Sequence, residues 1–97
     1  MRYEIVVAPE AVQDLRALRA RERADVRHGI EVHLRHEPER TSRSRIKRLR
    51  GVDKPQYRLR IGEVRVFYDV SPGRVEILAI VPKIDAAAWL AREGKRK

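Results

Sequence analysis

The residues best placed to do chemistry are Arg58, Arg60 and Arg65, in the stretch from Tyr57 to Tyr68. Gly62-Glu63 sits between two short β-prone runs, and Gly at the first central position of a two-residue turn signals a type II′ hairpin. That turn sets Ile61 opposite Val64, Leu59 opposite Val66 and Tyr57 opposite Tyr68. Side chains alternate faces along a strand, so these six share one apolar face. The other face carries Arg60 opposite Arg65, and Arg58 opposite Phe67. Like charges directly across a hairpin repel. A pair kept in spite of that points to an anion held between the two guanidinium groups.

A basic stretch leads into this hairpin. From Arg40 to Arg60 there are nine Lys or Arg and a single acid, Asp53. Its cations include Arg43, Arg45, Lys47, Arg48, Arg50 and Lys54, with hydroxyls at Thr41, Ser42 and Ser44. Two readings are open: a solvated basic loop, or a clamp on nucleic-acid phosphates. Ile46 and Leu49 are the residues able to anchor the stretch to a core. His28, His33 and His36 precede it on a helical pattern without Cys or a third ligand nearby, so they read as surface or packing residues rather than a metal site.

Composition bounds the rest. A chain of 97 residues suits one domain with one modest core. Charged residues make up 38% of it, the net charge is +9 and the pI is near 10.8, so an acidic partner is expected. Without cysteine, disulfides and thiolate metal sites are excluded. No apolar run approaches a membrane span and no signal-peptide pattern opens the chain, which fits a cytoplasmic protein with no membrane partner.

The elements that must position the arginines follow from local pattern. A short β-branched strand is expected over residues 3–7, then a helix starting at Pro9 with Ala11, Leu15 and Leu18 on one side. A break near Ala20 to Glu22 should precede a second helix carrying Val26, Ile30 and Leu34, ended before Pro38. Strands are expected over about 56–61, 64–70 and 75–81, forming an antiparallel sheet core. A turn pairing Val70 with Val75 would bring Leu78 beside Phe67 and Ile80 beside Arg65, with Asp69 and Glu76 at the far end. Asp85 is the expected N-cap of a short last helix bearing Trp89 and Leu90, and 93–97 reads as a frayed basic tail. The whole chain, 1–97, is one α+β domain.

This order resembles the RelE/ParE superfamily of toxins from type II toxin–antitoxin pairs. The resemblance rests on Leu49-Arg50-Gly51, on Tyr57 to Tyr68, and on Ile77-Leu78-Ala79-Ile80-Val81-Pro82-Lys83. It implies the small RelE-like fold, no cofactor and no metal, and an acidic antitoxin as partner in a hetero-oligomer. The RelE-like branch, which the arginines favour, cuts ribosome-bound mRNA by attack of the RNA's own 2′-hydroxyl on phosphate. On that resemblance Arg58, Arg60 and Arg65 stabilise the phosphate, and Lys83 is the nearest candidate for proton transfer. Arg43, Arg45, Lys47, Arg48, Arg50 and Lys54 would hold RNA backbone. The sequence departs from the branch in having no Tyr or His near its C-terminus. That departure keeps two alternatives open: a ParE-like inhibitor of DNA gyrase without catalysis, and a non-toxic RNA-binding domain.

Overall fold

The structure, a computed structural model, describes residues 1–96. The chain runs β1 (Glu4–Val7), α1 (Pro9–Ala17), α2 (Ala20–Leu34), β2 (Ile46–Arg48), β3 (Tyr57–Ile61), β4 (Val64–Ser71), β5 (Arg74–Pro82) and α3 (Lys83–Glu93). The five strands form one sheet in the order β1-β5-β4-β3-β2. The α+β class and the hairpin register are as the sequence implies: all five expected pairs between β3 and β4 are formed. Gly62 makes the turn with a φ of 57°, in the region that excludes most side chains.

Helices α1 and α2 cover one face. Ala11, Val26, Ile30 and Leu34 pack there against Tyr57, Leu59, Val66, Tyr68, Val75 and Ile77. Helix α2 approaches β3 closely at Gly29, where a Cβ would fall 2.5 Å from Cδ1 of Ile61. Between the two helices the chain extends at Leu18 and Arg19, two residues before the expected break. Arg23 reaches back from α2 and donates to the carbonyls of Leu15 and Leu18, at 3.3 and 2.8 Å. Both lie at the end of α1, where carbonyls are short of partners; that of Leu15 accepts in addition the N–H of Leu18 at 3.2 Å.

Several expectations are corrected. The first strand joins the sheet parallel to β5, so the sheet is mixed rather than antiparallel throughout. Part of the basic stretch is a strand, β2, paired with β3. Ile46 is buried, and Leu49 packs on the opposite apolar cluster, so the two expected anchors hold. Between β4 and β5 the expected pairs Val70–Val75 and Tyr68–Ile77 form, but Leu78 then bulges out. Beyond it Phe67 faces Ala79 and Arg65 faces Val81, in place of Leu78 and Ile80. A bulge leaves backbone groups unpaired; here Asp14 of α1 accepts the N–H of Ile80 at 3.0 Å. Helix α3 starts at Lys83, so Asp85 lies inside its first turn and caps nothing. Lys95 is not frayed: it bridges to Lys54, its N–H donating to the Lys54 carbonyl at 2.8 Å. Lys97 of the expected tail lies outside the described residues.

The second face of the sheet is covered only in part. Helix α3 sets Trp89 on Phe67, rings 4.8 Å apart and nearly parallel, with Ala79 and Val81 beneath. On the first face Tyr68 is fully buried and donates its hydroxyl to the carbonyl of Pro38 at 2.7 Å, tying the end of α2 to the hairpin. Removing a buried donor strands its acceptor. Tyr68→Phe should therefore lower stability by about 1–3 kcal/mol, measured by urea unfolding, with the slope of the transition unchanged.

Candidate anion site

The part of the second face that α3 leaves open is the basic one. Strand pairing places Arg60 directly across from Arg65, and puts Lys47, Arg58 and Phe67 in the adjoining row. Lys47 and Arg60 are exposed and Arg58 is half-buried. Arg65 is only 6% exposed. Its Nη1 donates to the carbonyls of Gly62 and Val64, at 2.9 and 3.1 Å, which fixes the guanidinium against its own turn.

What these arginines lack is a counter-ion. Among the described residues no carboxylate lies within ion-pair distance of Arg58, Arg60 or Arg65. Nε of Arg58 is buried without any hydrogen-bond acceptor. Burial, then the charges of Arg65 and Arg60, push the Arg58 pKa below its ordinary value. A buried donor with no partner is a costly feature that native proteins rarely keep without reason. A guanidinium cluster of this kind suits an oxyanion, which would satisfy the forks and relieve their repulsion together.

The other expected site residues divide. Lys83 is exposed at the first position of α3, and its N–H donates to the Glu63 carbonyl at 2.7 Å, so it borders the hairpin turn. Arg43 and Arg50 are exposed. Arg48 is not on the arginine face: it lies over the Tyr57 ring at 5.2 Å and donates to the Gln56 carbonyl at 2.8 Å. Arg45 precedes β2, and its side chain turns toward His33 while donating to the Arg60 carbonyl at 3.2 Å. Lys54 is removed from the set, because its ammonium sits 3.7 Å from Asp69 and 3.9 Å from Glu76. Ser42 is held in the loop, its Oγ accepting from the N–H groups of Arg45 and Ile46, which leaves its O–H as a donor.

Tyr57 and Tyr68 are on the opposite face, as the hairpin register implies. Tyr57 and Tyr68 stack at 5.4 Å, Tyr57 donates toward Glu39 at 3.4 Å, and burial raises both phenol pKa values. Among the described residues no three potential metal ligands cluster.

A second feature had no clear mark in the sequence. Helices α1 and α2 splay apart and leave an open apolar groove of about 610 Å³ over β1. Its walls include Ile5, Val7, Val12, Leu15 and Ile30, with Arg16 and Arg27 among the residues at its sides. The only available signal was that two amphipathic helices carry more apolar surface than one narrow sheet face can cover.

The sequence matches no protein-family model and no curated protein. Solved structures do match. Against the archaeal RelE–RelB complex from Pyrococcus horikoshii the TM-score is 0.70 at 24% identity, over 86% of this chain and 97% of that one. For the toxin–antitoxin complex RelBE2 of Mycobacterium tuberculosis the values are 0.67 and 26%, over 84% and 99%. The RelB–RelE complex of Methanococcus jannaschii gives 0.65 and 18%, over 87% and 96%. The fold is therefore RelE-like.

Crowded like charges tax the folded state. Arg58→Met should raise the melting temperature at low ionic strength, because it removes an unpartnered buried donor and one of three mutually repelling cations. The gain should shrink as salt screens the charges. A melting temperature that falls at low salt would show that Arg58 is held by interactions within the protein.

Proposed function

We propose that this chain is the toxin of a toxin–antitoxin pair and cleaves ribosome-bound mRNA in the manner of RelE-like endoribonucleases. The observation that carries the reading is the set of three arginines on one sheet face with no carboxylate partner among the described residues. In such a cleavage the 2′-hydroxyl attacks the adjacent phosphorus, its proton leaves to a base, and the bond to the 5′-oxygen breaks as that oxygen gains a proton. The phosphorane passed on the way carries extra negative charge. Arg60 and Arg65, on facing strands, would hold the non-bridging oxygens, and Arg58 would add its unpartnered Nε–H. Fixed donors aimed at developing charge commonly supply the largest single part of an enzyme's acceleration. Lys47 extends the basic row and would bind the backbone next to the scissile link. Arg43 and Arg50 would add phosphate contacts from the loops. The working compartment on this reading is the cytoplasm, where ribosomes are.

Proton transfer is the weak part of the site. Positioned acids and bases typically contribute 10²–10⁴-fold. Neither Tyr57 nor Tyr68 faces the arginines, and the histidines lie on or beside α2 across the sheet, which leaves Lys83 at the mouth of the turn. Slow cleavage follows, resting on charge stabilisation and in-line placement of the 2′-hydroxyl. The same shortage favours the second reading, a gyrase-binding toxin without catalysis.

The antitoxin would dock in the groove between α1 and α2. Its apolar walls suit an amphipathic segment, and Arg16 and Arg27 suit acidic residues along that segment's edge. The solved neighbours are themselves toxin–antitoxin complexes.

A translation assay discriminates the readings. Arg60 is exposed, so Arg60→Ala should leave the fold intact. It should cut ribosome-dependent mRNA cleavage roughly 10²-fold, the usual cost of one oxyanion donor. Intact mRNA with inhibited supercoiling would instead identify the gyrase-binding reading.

A further inference from the structure

A second cleft opens on the far side of the β2 edge. It lies between the C-terminal half of α2 and the loop entering β2, and encloses about 330 Å³. One wall is apolar, made by Ile46 and by Val32, which is 56% exposed although it is a large aliphatic residue. His33 stands beside them. Burial first, and then the charges of Arg45 and His28, hold the imidazole pKa below its ordinary value, so the ring is uncharged near neutral pH. The floor carries Arg45, which among the described residues has no carboxylate partner. The one acid at the cleft, Glu37, is paired with Arg40 at 3.1 Å.

The cleft and the arginine face share a link. Arg45 donates from its guanidinium to the Arg60 carbonyl at 3.2 Å, and the Arg60 N–H donates to the Arg45 carbonyl at 2.8 Å. Ser42 holds Arg45 in place, its Oγ accepting the Arg45 N–H at 3.0 Å. These bonds set the cleft beside the backbone of Arg60, at the β2 edge that separates it from the arginine face.

We propose that this cleft is a subsite for one ribonucleotide flanking the scissile link, its base against Val32 and His33 and its phosphate on Arg45. This rests on the RNA reading given above. Single-stranded RNA is recognised in this manner, by splayed bases on flat rings and guanidinium groups rather than by paired edges. A neutral ring with an aliphatic neighbour stacks any base, so the subsite selects for an unpaired strand more than for sequence. Its role is to set which phosphate falls between Arg60 and Arg65.

The test uses two RNAs that cannot be cut, each 2′-deoxy at the scissile nucleotide: a dinucleotide, and a tetranucleotide extended on both sides. The full chain is titrated with each while the His33 ring signals are followed by NMR. The tetranucleotide should bind roughly tenfold more tightly, within the range stacking of one base supplies, and should alone shift the His33 signals. His33→Ala should bring the ratio of the two affinities close to one, and Arg45→Gln should lower it. His33→Gln, which keeps a polar side chain of similar reach but no ring, should behave as His33→Ala. A ratio that survives His33→Ala, with ring signals unmoved, would overturn the subsite. Failure of the RNA reading itself is visible separately, as dinucleotide binding that is indifferent to Arg60→Ala.

Discussion

Two guanidinium groups on facing strands, with no counter-ion among the described residues, are the constraint around which the molecule is arranged. Left alone, such a pair would favour a slipped or splayed hairpin. What holds it is the reverse side of the same ribbon. Tyr57–Tyr68, Leu59–Val66 and Ile61–Val64 pair across the hairpin on the face that α1 and α2 cover. Fully burying one such side chain contributes about 1.5–3 kcal/mol, whereas a cross-strand pair of like charges costs up to about 1 kcal/mol. Packing wins by a wide margin. A slip of one residue would also turn every one of those side chains outward. The core thus enforces the register that sets Arg60 opposite Arg65, and Gly62 lets the turn close tightly enough to keep it.

The bulge at Leu78 divides the second face between two tasks. Without it, Leu78 and Ile80 would point toward α3 and the arginines. With it, Ile80 turns into the main core, and the smaller Ala79 lies opposite Phe67. That leaves room for Trp89 to stack on Phe67, a contact worth about 0.5–1.5 kcal/mol beyond the area it buries. The carboxylate of Asp14 meets the N–H of Ile80 beside the bulge. Helix α3 can therefore close the apolar half of the face and stop short of the cationic half. At the opposite end Lys54 lies between Asp69 and Glu76, two acids that strand pairing sets away from the arginines.

These features differ in how far they could be read from residues alone. The hairpin was legible because a two-residue turn beginning with glycine leaves a single register, and the alternation on either side agrees with it. The bulge was not, since it depends on Asp14, 66 residues from Ile80 in the chain. The basic stretch between Arg40 and Arg60 looked uniform by charge, yet the structure sorts it by strand parity. Lys47 falls on the arginine face, while Arg48 falls on the Tyr57 side and is used up in a contact with that ring. Lys54 is paired for a related reason. Its partners come from β4 and β5, which no local pattern near Pro55 announces. Charge composition marks the region that meets an acidic partner, and only the pairing of strands decides which cations are free to meet it.

The two tyrosines tie the weak point of the site to the strength of the fold. Each could donate a proton, and each is instead committed to the core, Tyr68 to the Pro38 carbonyl and Tyr57 to Glu39 and the Arg48 guanidinium. Turning either toward the arginines would forfeit those contacts and the stack between them. The arginine face is consequently left with charge and little else. Uncompensated charge of this sort has a direct consequence for binding. Whatever first supplies acceptors to Arg58, Arg60 and Arg65 collects, in addition to its own contacts, the relief of their mutual repulsion. On the reading proposed above, an RNA phosphate would do so transiently; an acidic protein segment that reached the face would do so for as long as it stayed. The feature that makes the face suitable for a phosphate thus also makes it easy to silence with carboxylates, and ionic strength should weaken both interactions together.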